Sequence, residues 1–185
     1  MKKKKILLES HFWTEEGIEN PFKIFEALFD YSNLENHKNL IADLVQQFYK
    51  KEVYGGENPG ELLLYYQVFR SFLKACYLMQ FTKKTVRKDD FYDWESGIFL
   101  GSLSRSEYDS PLLVFTNAFK NKTLVEYEQF LSAMFQFSLS PYTGDICTDM
   151  ATPYLHFIKM LDAAQLIRER GLEKIKEQNN LASMT

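Results

Sequence analysis

"VYGGENPGE", Val53 to Glu61, packs three glycines, a proline and two carboxylates ahead of a strongly apolar run, Leu62 to Tyr66. A phosphate-cradling loop is one reading. It fails on two counts: no strand precedes the stretch, and the Gly-Lys-Ser/Thr ending is missing. "PYTGDICTD", Pro141 to Asp149, supplies the second reading. It repeats the tyrosine, one glycine and the acid, which suits a helix-to-helix turn. The tyrosine would pin the exit, the glycine would take a positive φ, and the acid would sit near the next helix start.

Working outward, the match extends in both directions. At an offset of 88, Tyr54 meets Tyr142, Gly56 meets Gly144 and Glu57 meets Asp145. Tyr66 meets Tyr154, Phe69 meets Phe157, Leu73 meets Leu161, Ala75 meets Ala163 and Leu78 meets Leu166. Upstream, at an offset of 90, Pro21 meets Pro111, Phe25 meets Phe115, Phe29 meets Phe119, Leu34 meets Leu124 and Gln46 meets Gln136. Two unrelated amphipathic hairpins would also match in apolar character. A tandem duplication of a three-helix unit is the better account. The units run from about 20 to 82 and from about 110 to 171.

The local signals are helical throughout. Asn20 and Ser110 each stand before a proline, as an N-cap stands before a first helical residue that needs no amide. Ser32 with Glu35, and Thr123 with Glu126, have capping-box spacing. Leu34, Leu40, Ile41, Leu44, Val45 and Phe48 fall on one helical face, as do Leu124, Tyr127, Phe130, Leu131, Met134 and Phe135. Further helices are expected at about Gly60–Phe81 and Pro153–Arg170, the second stopped by Gly171. Between the units, 83–110 is too apolar at Phe91, Trp94, Ile98 and Phe99 for a solvated linker and should dock. A short helix is expected from Phe91 to about Leu100, with loop from Gly101 to Ser110. The tail, 173–185, is expected to fray. Strand patterns are absent apart from a short possibility at Lys5–Leu8. The expected fold is all-α: a compact six- to seven-helix bundle of two pseudo-two-fold-related units forming one domain over 1–185.

Composition bounds the function. With 185 residues the core needs no staple. Hydrophobic residues make up 45% and aromatics 16%, which excludes disorder. A net charge of -3 favours neither nucleic acid nor a membrane surface as partner for the whole chain. The two cysteines, Cys76 and Cys147, read as a reduced pair. The lysines at the start lead into only Ile6, Leu7 and Leu8 before Glu9, too short for a signal-peptide core. No run suits a membrane span. The expectation is a cytoplasmic protein.

Chemistry is sparse. None of His11, His37 and His156 has a second histidine or carboxylate at ligand spacing, so no metal and no cofactor are expected. Ser102 lacks the second glycine of a nucleophile elbow. The matched acids Glu57/Asp145 and Glu61/Asp149 are better read as helix-start residues than as cation ligands. The leading reading is a non-enzymatic helical interaction or regulatory protein, with a protein partner or a second copy. Phe12, Trp13 and Trp94, outside the repeat cores, are its candidate anchors. A second reading is an enzyme with a small-molecule or metal-dependent site between the units, around Tyr66, Arg70, Tyr154 and His156. A third, less favoured, is nucleic-acid binding through the basic clusters Lys2–Lys5 and Lys83, Lys84, Arg87 and Lys88, the second of these the candidate anion-binding residues.

Overall fold

The computed structural model describes residues 20–51, 53–55, 59–87, 101–145 and 147–174. Among these the chain forms seven helices and one two-stranded ribbon. The helices are α1 (Pro21–Tyr31), α2 (Leu34–Phe48), α3 (Pro59–Met79), α4 (Arg105–Asp109), α5 (Leu112–Asn121), α6 (Leu124–Ser138) and α7 (Ala151–Arg170). The strands are β1 (Lys84–Val86) and β2 (Leu172–Lys174).

The local chemistry explains the boundaries. Asn20 accepts the Phe22 amide at 3.3 Å, with Pro21 at the first helical position. Thr123 and Glu126 form a full capping box: Thr123 Oγ1 accepts the Glu126 amide, and Glu126 Oε2 accepts the Thr123 amide at 2.7 Å. Helix α2 starts one residue later than expected. Asn33 caps it by accepting the Asn36 amide at 2.8 Å, and Ser32 Oγ accepts the Asn36 side chain. Ser110 is also not an N-cap. It closes α4, a helix in the segment expected to be loop. Gly171 takes φ +78° and stops α7, its amide donating to Ile167 O at 2.8 Å. Leu172 to Lys174 then pair antiparallel with β1, so Glu173 and Lys174 are held in a strand and not in a fraying tail.

The core is one continuous cluster drawn from all seven helices, with Phe25, Phe48, Phe69, Phe72, Phe115, Tyr127 and Phe157 its largest fully buried side chains. The main helix pairs have a simple pattern. Helix α1 packs on α3, and α5 packs on α7. Helix α2 packs chiefly on α6 and α7, while α6 packs on α2 and α3. Helix α1 also touches α7, and α5 touches α3. Exchanging α1, α2 and α3 for α5, α6 and α7 leaves this set unchanged.

The same correspondence holds at residue level. Both α2 and α6 have 15 residues, and their ends differ by 90. Buried Ile24, Phe25, Leu28, His37, Ile41, Leu44 and Phe48 correspond to buried Val114, Phe115, Ala118, Tyr127, Leu131, Met134 and Ser138. Two residues meet their own counterparts. The rings of Phe25 and Phe115 lie 5.8 Å apart, and those of Phe69 and Phe157 lie 5.5 Å apart. At the helix ends the acceptors match but the donors do not: the Tyr54 amide donates to Ser138 O at 2.7 Å and the Gly144 amide to Phe48 O at 2.8 Å, whereas the 88 offset pairs Tyr54 with Tyr142.

The paired turns differ from expectation in detail. Gly144 is not in the positive-φ region; a Cβ there would overlap the Phe48 ring. The glycine is needed for close approach, not for backbone handedness. Tyr54 is half-buried on the core, but Tyr142 is 74% exposed and pins nothing. Gly56, Glu57 and the possible strand at Lys5–Leu8 lie outside the described residues, as does the helix expected at 91–100.

Candidate functional site

The four residues expected around a site between the halves are placed by α3 and α7. Tyr66, on α3, packs edge-on against Phe135 of α6 at 5.5 Å. One turn on, Arg70 Nε donates to Glu128 Oε1 of α6 at 3.1 Å. His156, on α7, lies perpendicular to the Tyr127 ring of α6 at 6.4 Å. Tyr154 is half-buried on the same core. Three of the four therefore meet α6 at successive places, and no shared cavity is needed to describe their contacts. The ground between the halves is occupied by rings: Phe69 packs on Phe135 and Phe157, and Phe72 packs on Phe25 and Phe157.

The polar chemistry of the interior lies elsewhere, on the face of α7 covered by the 102–109 segment. Asp162 is fully buried. Its Oδ2 accepts the Ser102 hydroxyl, and its Oδ1 pairs with Lys38 Nζ from α2. Burial pushes the Asp162 carboxyl above its ordinary range, offset in part by Lys38 and Ser102. One turn earlier, Lys159 Nζ donates to Glu107 Oε2 at 2.7 Å, and Glu107 also accepts the Ser104 amide. Burial pushes Glu107 up, but these hydrogen bonds outweigh it and hold the carboxyl low. At the end of α7, Arg170 donates to Tyr108 O at 2.7 Å and lies over the Tyr108 ring at 4.4 Å. Three contacts of ionic character thus strap α4 and its flanking turn to α7. Ser102 is used as a donor to a buried carboxylate, not presented as a nucleophile.

The histidines are separate from this strap and from each other in role. His37 is fully buried, with Nε2 3.1 Å from Leu28 O. A carbonyl only accepts, so Nε2 carries the proton and Nδ1 is a bare acceptor. Burial lowers the affinity of His37 for a second proton. His156 is half-buried, and burial followed by the nearby Lys159 charge lowers its proton affinity too.

Lys83, Lys84 and Arg87 are exposed along β1, and the Arg87 amide donates to Gly171 O at 3.1 Å. Lys88, Phe12, Trp13 and Trp94 lie outside the described residues. Asp145 caps its own turn through the Cys147 amide, and Asp149 caps α7 through the Thr152 amide while pairing with Lys122 at 3.2 Å. Among the described residues no group of three or more His, Cys, Asp or Glu is placed to hold a metal ion. No helix among them is long and apolar enough to cross a membrane.

Asp162, Lys38 and Glu107 were not singled out by the sequence reading. Asp162 did carry a signal: an acid within the otherwise apolar run Met160 to Ala164 must find a cation if that helix is central. Comparison with protein-family models, with curated proteins and with solved structures finds no match.

Proposed function

We propose that this chain is a non-enzymatic helical interaction protein, built by tandem duplication of a three-helix unit and working in a reduced cytoplasmic setting. The observation that carries the non-enzymatic reading is the aromatic packing between the halves. Phe69, Phe72, Phe135 and Phe157 stand where a shared site would have to lie. An enzyme with its site at that boundary would need polar groups converging on open space. Here Arg70 is engaged by Glu128, and Tyr66 is engaged by Phe135.

The duplication is supported by correspondence that apolar periodicity alone does not require. His37 reaches Leu28 O, and Tyr127 reaches Ala118 O at 3.2 Å: two different side chains, each bonded to the carbonyl nine residues back, at matched positions. The same two carbonyls accept the cap amides of Ser32 and Lys122. Contacts between Phe25 and Phe115, and between Phe69 and Phe157, are those expected of residues on a two-fold axis. The reduced setting is supported by two free cysteines, Cys76 buried and Cys147 exposed.

Under this reading the partner is another protein or a second copy, and the candidate anchors remain Phe12, Trp13 and Trp94. Affinity capture with the full chain, paired with light scattering, tests it. The expected result is a partner, or self-association, that is lost in W13A or W94A. A strictly monomeric chain that retains nothing would contradict the proposal.

A further inference from the structure

We propose that His37 makes the α1–α2 corner an acid-operated catch: the neutral imidazole holds it closed, and a second proton on the ring opens it, while the matched α5–α6 corner, closed by Tyr127, stays shut. The proposal concerns regulation and does not depend on what the protein binds.

The geometry carries it. His37 is 0% exposed, and its ring is walled by Phe29 at 6.0 Å, Tyr65 at 6.1 Å and Phe69 at 5.8 Å. Nε2 is committed to Leu28 O. Nδ1 is buried with no hydrogen-bond partner among the described residues. A proton arriving at Nδ1 would create a cation buried among rings; the Leu28 and Ser32 carbonyls favour it, but burial outweighs them. The corner takes that proton more readily when it is open to water.

The charged and titratable groups nearby offer no compensation. From α1, Asp30 is held by Arg168 at 2.6 Å. From α7, Arg168 lies over Phe29 at 5.9 Å, and Asp162 is held by Lys38, the neighbour of His37 on α2. Glu35, also on α2, is solvent-exposed near its start. From α3, Glu61 acts on the hydroxyls of Tyr31 and Tyr65. Burial, then those neighbours, push Tyr31 up to about 12, and burial raises Tyr65, so both stay neutral through the acid range.

Tyr127 provides the contrast. It is fully buried, packs on Phe119 as His37 packs on Phe29, and bonds to Ala118 O. Its phenol has no second proton to take, and burial pushes its ionisation further up.

The sign follows from linkage. The folded ring binds a proton less well than the ordinary 6.5, while an opened corner binds it normally. Stability of the corner is whole above about pH 6.5 and is lost as pH falls from there towards the folded value. In that window the opening constant rises about tenfold per pH unit.

Amide hydrogen exchange of the full chain, read residue by residue and corrected for intrinsic rates, tests this. On going from pH 7.5 to 5.5, protection of the Ser32 and His37 amides should fall severalfold, while that of Lys122 and Tyr127 holds. H37F, which cannot take the proton, should abolish the step; H37Q is the second variant if the ring replacement does not fold. Equal loss of protection at both corners, or a step that survives in either variant, would overturn the proposal.

Discussion

Replacing Gly144 by alanine should be among the most damaging one-carbon changes available in this fold. A Cβ on Gly144 falls on ring carbons Cζ, Cε1 and Cε2 of Phe48. The ring cannot yield easily. Phe48 is 1% exposed and is flanked by the rings of Tyr49 and Phe137, each 5.0 Å away. Nor can the backbone withdraw freely, because the Gly144 amide donates to Phe48 O at 2.8 Å. Overpacking a well-filled core costs about 1–3 kcal/mol. With both retreats blocked, about 3 kcal/mol is expected, a fall of about 6–12 °C in Tm for a chain of this size. Urea unfolding of G144A, F48A and the double variant gives the assay. F48A alone should cost about 3–5 kcal/mol. In that background the ring is gone, and adding G144A should cost less than about 0.5 kcal/mol. A G144A chain as stable as the parent, or a strictly additive double variant, would refute the close-approach argument. Gly55 is the control: a Cβ there meets nothing within 4 Å, so G55A should stay within about 0.5 kcal/mol of the parent.

Three further outcomes follow from the polar contacts. K38M should cost about 3–5 kcal/mol in urea unfolding by stranding the buried Asp162 carboxylate, and K38M/D162L should recover most of it by replacing both charges with apolar groups. R70M removes a half-exposed partner of Glu128 and should cost no more than about 1 kcal/mol in the same assay, so these two of the ion pairs across the halves rank by burial. T123A removes one arm of the α6 capping box and should lower stability by about 1 kcal/mol, read as a shift in the urea midpoint at unchanged slope.

The helices were legible because caps, prolines and 3.6-residue periodicity are local. Asn20 with Pro21, and Thr123 with Glu126, act as their spacing implies. Gly171 stops α7 as its position suggested, at a φ of +78°. What escaped the sequence depends on partners remote in the chain. The need for glycine at 144 comes from Phe48, nearly a hundred residues earlier. The ribbon of Lys84–Val86 with Leu172–Lys174 is three residues a side, too short for an alternating pattern to register. The packing of α2 chiefly on α6 and α7 has no local signature either. Of the four residues expected around a shared pocket, three have partners on α6. Tyr66 and His156 face ring partners on α6, and Arg70 faces a carboxylate there.

The equivalence of the two halves is tested most directly at position 37. H37Y installs the residue found at the matched position 127, and H37F supplies a ring of the same size without the hydroxyl. If the corners are equivalent, the new hydroxyl finds Leu28 O as Tyr127 finds Ala118 O. H37Y should then be more stable than H37F by about 1 kcal/mol in urea unfolding at pH 7.5. If they are not equivalent, the hydroxyl is buried without an acceptor, and H37Y should be the less stable of the two by about 1–3 kcal/mol. A difference of that second sign would contradict the proposed duplication.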